Sequence, residues 1–277
     1  MSCAPMTADG GAFSDDAALG GRLKLRQPRR GHRFGHDAII LAAATPARPG
    51  ERAVEFGAGV GAAGLALARR VERLAVTLVE IDPALAALAQ HNAAENGLGA
   101  RVRAICLDVA AAPAAFAAAG LPPGSADVAA PPAAFAAAGL PPGSADRVLM
   151  NPPFNTRQSA SPDDGRRRAH AASAGLLPVW LSAAARLLVS GGTVTLIWRA
   201  DDLGDVLTAL AADFAGITIM PVYPKPDAPA IRVLVSASKD SKAPSSLLPG
   251  LTLADKSGKP TPQTESVLRD GAALAFP

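Results

Sequence analysis

Asn151-Pro152-Pro153-Phe154 gathers a side-chain amide, a rigid carbonyl pair and an aromatic ring within four residues. Asn151 Oδ1 and the Pro152 carbonyl can each accept a hydrogen from one exocyclic NH2, while Phe154 stacks on the ring that bears it. The chemistry served is that of a flat, amine-bearing group. The preceding apolar run, Arg147-Val148-Leu149-Met150, predicts a buried strand. Two consecutive prolines forbid further ladder pairing and fix the backbone, so the chain must leave the sheet stiffly at its carboxyl edge. Alone, the tetrad would be a strand-ending turn with a buried Phe. A glycine loop far upstream overturns that reading.

That loop is Gly57-Ala58-Gly59-Val60-Gly61, after a predicted strand at Arg52 to Phe56 and before a predicted helix at about Ala62 to Arg70. Glycines at 57, 59 and 61 allow a tight turn and let a ligand approach backbone nitrogens. By itself the pattern is shared with dinucleotide-binding proteins. Three carboxylates narrow it. Glu55 precedes the loop, where it would repel a pyrophosphate but suit a cationic amino-acid group. Glu80 ends the second strand, placed for ribose hydroxyls by the logic of dinucleotide folds. Asp108 ends the third strand, where it can accept from an aromatic amino group. Acids at three successive carboxyl edges make a crevice of acceptors.

The elements that position these groups alternate regularly. Strands at Val76–Glu80 and Val102–Leu107 flank a helix capped by Asp82, with Pro83 in its first turn and Gly97 at its end. Such alternation predicts an α/β fold, a parallel sheet with helices on both faces. Further on, Leu176–Leu188 predicts a helix ended by Gly191-Gly192, followed by a strand at Thr193–Trp198 and a helix near Leu203–Ala212. The short Pro-Lys-Pro-Asp-Ala-Pro joint between Ile217–Tyr223 and Ile231–Ala237 leaves no room for a crossover helix, so this last pair should be an antiparallel hairpin.

The chain divides into three parts: a small, polar tail over 1–20, the body over 21–237, and a Lys/Ser/Pro-rich extension over 238–277 with one weak helix near Thr264–Asp270. Within the body, Asp108–Ala126 and Asp127–Ala145 are a tandem copy of each other, differing only at Ala112 against Pro131. Two copies are too few for a solenoid, which predicts a duplicated surface insertion over 108–145 with at most a short helix per copy.

The formal net charge is only +3, so charge placement says more than its sum. Arg22, Lys24, Arg26, Arg29, Arg30, His32 and Arg33 form a basic stretch that fits either a solvated strand face or a contact for a nucleic-acid backbone. Arg166 to Arg168 form a second basic cluster. Cys3 and Cys106 give no disulfide framework, His32 and His36 lack further ligand partners, and no metal site is expected. Without a run of membrane-spanning length or the basic-then-apolar order of a signal peptide, the expectation is a cytoplasmic protein.

Taken together, the glycine loop, Glu80, Asp108 and Asn151-Pro152-Pro153-Phe154 resemble the pattern of class I S-adenosylmethionine-dependent methyltransferases acting on planar amines. The stretch Gly31-His32-Arg33-Phe34-Gly35-His36-Asp37-Ala38 is similar to the motif preceding the fold in the tRNA1(Val) N6-adenine methyltransferase group, and the carboxyl-terminal Arg232-Val233-Leu234-Val235 and Leu247-Leu248-Pro249-Gly250-Leu251 are similar to its bacterial members. The resemblance implies a doubly wound, mostly parallel seven-stranded sheet whose last pair is the antiparallel hairpin. It implies S-adenosyl-L-methionine as cofactor, with Arg33, Phe34 and Asp37 closing its pocket and Ile81 beside Glu80. The implied partner is RNA, tRNA foremost, with an adenine amine as acceptor. Phe154 departs from the Tyr usual in the tRNA enzymes and occurs in guanine-N2 methyltransferases, while glutamine-N5 enzymes share the Asn-Pro-Pro core. These acceptors stay open.

Overall fold

A computed structural model describes residues 11–31, 33–110, 133–153 and 164–276, with side chains from residue 175 in the last span. The expectations for residues 1–10, His32, Phe154, the side chains of Arg166–Arg168 and nearly all of the first repeat copy lie outside the described residues. In chain order the elements are β1 (Phe13–Ala18), β2 (Leu23–Pro28), α1 (His36–Ala44), β3 (Arg52–Phe56), α2 (Ala62–Arg70), β4 (Ala75–Glu80), α3 (Pro83–Glu95) and β5 (Val102–Cys106). Then come α4 (Ala133–Ala137), β6 (Ala145–Met150), α5 (Asp164–Leu187), β7 (Leu188–Arg199), α6 (Leu203–Leu210), β8 (Phe214–Tyr223) and β9 (Arg232–Lys239). Two-residue strands β10 (Ser246–Leu247) and β11 (Leu251–Thr252) and helix α7 (Pro262–Asp270) close the chain.

The main sheet has the order β8-β9-β7-β6-β3-β4-β5, with β10 and β11 both alongside β8. β3 pairs in parallel with both β4 and β6, so the order reverses there and opens a crevice at the carboxyl ends of these strands. β7 and β9, and β9 and β8, pair antiparallel, which is the carboxyl-terminal hairpin anticipated above.

Successive strand residues feed two different cores. Ala53, Leu78, Leu149 and Ile197 pack under α1 and α2, whereas Val54, Val79, Val148 and Leu196 pack under α5 and α6. Burial on both faces is why these strands are continuously apolar, and each fully buried Leu or Val contributes about 1.5–3 kcal/mol. Arginines close the helices. Arg101 donates to the carbonyls of Ala68, Val71 and Leu74 at the end of α2, and Arg70 to those of Ala42 and Thr45 at the end of α1.

Three expectations are corrected. The tail does not run to residue 20: Phe13–Ala18 is a strand, paired antiparallel with β2 so that Asp15 faces Arg26. Opposite charges directly across a strand pair stabilise it, and the Arg26–Asp15 contact is 2.8 Å. The extension does not stand apart, since Leu251, Val267 and Leu274 are buried in the same core as α1, and Leu274 N donates to Ala43 O. Nor does Gly191-Gly192 end a helix; α5 gives way to β7 at Leu188, and both glycines lie within the strand.

The second repeat copy is also more than a surface insertion. Phe135 on α4 is 2 % exposed and meets Phe56 edge-on with ring centroids 6.3 Å apart. Leu140 is buried, and Arg103 donates to the carbonyls of Ala138 and Gly139 at the end of α4. This copy therefore makes the β5–β6 connection. Deleting residues 112–130, which leaves a single copy, should lower the melting temperature by no more than about 4 °C, roughly 1 kcal/mol. A larger loss by calorimetry would mean that the first copy also supports the core.

Candidate active site

The crevice sits where β3, β4, β5 and β6 end. Leaving β3, Gly57 adopts φ +64°, and a Cβ there would meet Trp180 Cη2 on α5 at 2.6 Å. Trp180 in turn packs edge-on against Phe56, with centroids 6.1 Å apart. Gly61 adopts φ +87° and forms the N-cap of α2, with no room for a Cβ against Leu78 at 2.9 Å. Backbone conformation and close packing together therefore explain the glycines at 57 and 61. The loop is braced by Ala58 N donating to Val79 O and Gly59 N donating to Glu80 Oε2 at 2.7 Å.

The three acids end up differently placed. Glu55 is fully buried beneath the loop, its Oε2 accepting from Gly64 N at 2.7 Å. Burial pushes its carboxyl up to about 8, against the lowering effect of that hydrogen bond and with a small push from Glu80. At neutral pH it is therefore mostly a neutral acid, where the sequence suggested an anion. Glu80 turns back on the chain, accepting from Gly59 N and Asp82 N, with one lone pair on each oxygen left for a hydroxyl. Asp108 receives Ala110 N at 2.7 Å and is half-buried. Ile81, beside Glu80, is 62 % exposed, a bare apolar side chain at a cavity wall.

Asn151, Pro152 and Pro153, which follow β6 beside the end of β3, line the same crevice. Asn151 Oδ1 is buried and has no hydrogen-bond partner among the described residues. The remaining wall is the turn before α1. Phe34 N donates to the buried Gln27 side chain, and Asp37 accepts from Arg232 Nε on β9 at 2.9 Å. Arg33 borders the cavity, but its guanidinium is turned to Asp16, Ser14 and the Pro28 carbonyl. Hydrogen bonds from Gln27, then Ser14, hold the Asp16 carboxyl below the ordinary range. Glu55, Glu80, Asp108, Asn151, Asp37 and the glycine loop thus line one cavity of about 950 Å³. Trp180 and Arg232 share it; Arg232 belongs to the carboxyl-terminal stretch quoted above without a site role, and Trp180 carried no sequence signal.

The cavity lies at the upper end of the range for small-ligand sites, roughly 300–1,000 Å³, large enough for a nucleoside cofactor and a second ring. Its inventory also suits S-adenosylmethionine: an exposed Ile81 for a flat base, acceptors on Glu80 and Asp108, and a glycine-walled floor. Residues 34–119, which carry the loop and all three acids, match the family described as "Methyltransferase small domain". With the sheet order and this crevice, that match over part of the chain supports S-adenosylmethionine-dependent methyl transfer on a Rossmann-like α/β fold.

Its relatives narrow the kinship. The chain is 26 % identical over 191 residues, 69 % of its length and 68 % of the relative's, to a tRNA1(Val) (adenine(37)-N6)-methyltransferase of Tolumonas auensis. A protein of that description from a Flavobacteriaceae bacterium is 29 % identical over 87 residues, 31 % of this chain and 38 % of the relative. Among solved structures, a predicted O-methyltransferase of Agrobacterium tumefaciens superposes with a TM-score of 0.66 at 28 % identity, covering 86 % of this chain and 98 % of that one.

Proposed function

We propose that the chain methylates an exocyclic base amine in RNA, most specifically the N6 nitrogen of a tRNA adenine. The observation that carries this reading is Asn151 Oδ1, a buried acceptor without a partner among the described residues, next in sequence to the rigid Pro152 carbonyl and lining the same crevice as the glycine loop. Two acceptors at one strand end call for a donor with two hydrogens, which an NH2 group supplies and a hydroxyl does not. Both named relatives are described as acting on tRNA adenine. Of the amino-terminal basic stretch, Arg22, Arg26 and Arg33 are spent on protein partners. Lys24, Arg29 and Arg30 are exposed and available to phosphates.

Bound S-adenosylmethionine supplies an electrophilic methyl on a sulfonium. The chain's own task is placement. An adenine amine is a poor nucleophile because its lone pair is delocalised into the ring. Hydrogen bonds to Asn151 Oδ1 and the Pro152 carbonyl favour the geometry in which that pair turns toward the crevice. Positioning and electrostatics then account for most of the acceleration. The proton leaves the nitrogen after transfer, so no side-chain base is required. Cys106, at the end of β5, has its Sγ toward the Ile81 carbonyl and has no role in this chemistry.

On this reading Glu80, Ile81 and Asp108 hold the nucleoside end of the cofactor, Glu55 and Gly57, Gly59 and Gly61 its amino-acid end, with Arg33, Phe34 and Asp37 as the lip. Asp108→Ala should weaken S-adenosylhomocysteine binding by about tenfold, the equivalent of one hydrogen bond to a charged group. Unchanged affinity by titration calorimetry would place the adenine elsewhere. The function itself is tested by transferring tritiated methyl groups onto total tRNA and rRNA and analysing the nucleosides. Label in N6-methyladenosine supports the proposal; label in N2-methylguanosine moves the acceptor, and no label in either RNA removes RNA from it.

A further inference from the structure

Asn92 on α3 and Asn96, the residue that caps its carboxyl end, grip the free edge of β2 as a neighbouring strand would. Asn92 Oδ1 accepts from Arg26 N at 2.8 Å and its Nδ2 donates to Arg26 O at 3.0 Å. Asn96 repeats the pattern at Lys24, with distances of 2.9 Å and 2.6 Å. The spacing works because four helical residues advance about 6 Å and two strand residues about 6.7 Å. A primary amide carries one acceptor and two donors, so each side chain substitutes for a peptide group. The amino-terminal hairpin is thereby hydrogen-bonded to a helix.

The two grips differ in one bond. The remaining Asn96 hydrogen goes to Asn92 O within α3, at 2.7 Å. That of Asn92, which is 1 % exposed, goes to Val60 O in the glycine loop at 3.0 Å. The Val60–Gly61 peptide is therefore held from both sides, because Gly61 N donates to Ala58 O at 2.8 Å. The hairpin reaches the opposite wall as well, through Gln27 to Phe34 N and through Asp16 to Arg33. Both Val60 and Phe34 border the cavity.

We propose that Asn92 is a positioning residue for the cofactor: its side chain ties the glycine loop and the hairpin into one clamp, so that the loop and the lip keep a fixed separation. The proposal rests on the S-adenosylmethionine reading of the crevice. Losing the Asn92 side chain strands the buried Val60 carbonyl and frees the loop to shift, whereas losing Asn96 loosens only the hairpin.

Asn96→Ala is the matched control, since each substitution removes three hydrogen bonds and two of them hold β2. Calorimetric titration with S-adenosylhomocysteine should show Asn92→Ala raising Kd about tenfold, roughly the worth of the one hydrogen bond that no longer fixes the loop before the ligand binds, and Asn96→Ala changing it less than twofold. Both should lower the melting temperature, Asn92→Ala the more, since it alone strands a buried carbonyl. Asn92→Leu, which keeps about the same volume without a charge and can neither donate to Val60 nor pair with Arg26, should weaken binding like Asn92→Ala and serves if the alanine variant does not fold. Equal weakening by Asn92→Ala and Asn96→Ala, or none by either Asn92 variant, would overturn the proposal. Failure of the parent enzyme to bind S-adenosylhomocysteine would instead strike the cofactor reading.

Discussion

Asn151→Ala is expected to cut methyl transfer by about 10²–10³-fold, the cost of removing one preorganised polar group from a reacting centre, with S-adenosylhomocysteine affinity changed less than about threefold, below the value of a typical hydrogen bond. The two readouts separate because Asn151 follows β6, the strand beside the one that leads into the glycine loop, and is not among the residues assigned to the cofactor. Its Oδ1 has no partner to lose among the described residues, so truncation should leave the fold intact. The rigid Pro152-Pro153 turn holds the backbone whichever side chain precedes it. Single-turnover rates beside calorimetric titration decide the matter. Parallel loss of rate and affinity would make Asn151 a structural residue.

The second large effect concerns Glu55 and pH. Its carboxyl lies at about 8 in the folded protein against an ordinary 4.5. Between these values the folded chain keeps a proton that the unfolded chain has released. The stability this contributes is present in full below about 4.5 and is lost as pH climbs to about 8, by at most about 1.4 kcal/mol per pH unit. Glu55→Gln has no proton to lose, and its side-chain oxygen can still accept from Gly64 N. Denaturant unfolding at pH 5, 6.5 and 8 should therefore show the variant gaining on the parent at each step, ending several kcal/mol more stable. Parallel curves would mean that Glu55 is ionised in the folded protein and that water reaches it.

The strand–loop–helix alternation and the glycine loop were legible because each has a local cause: continuous apolar runs for strands buried on both faces, and turn geometry or close packing for Gly57 and Gly61. The crevice acids were legible as strand ends. Their states were not, because the neutrality of Glu55 comes from α2 closing over it, and Glu80 folds back on a loop distant in sequence. β1 was hidden for a similar reason. Phe13–Ala18 carries Ser14, Asp15 and Asp16 where a strand signal calls for apolar alternation, and it is held by Arg26, Gln27 and Arg33. Phe135 and Leu140 sit in an Ala-rich repeat whose two copies look alike, and only the packing against Phe56 and Arg103 shows that the second copy fills the core. The clamp of Asn92 and Asn96 was invisible too, since asparagines late in a helix ordinarily face water.

A crystal structure with S-adenosylhomocysteine tests the placement of donor and acceptor most directly. The thioether sulfur should lie over the glycine loop and face Asn151 Oδ1 and the Pro152 carbonyl, with space between for one flat amine at an attack distance of about 3–3.5 Å. A sulfur turned away from Asn151, or a ligand seated outside the crevice of Glu80, Ile81 and Asp108, would contradict it.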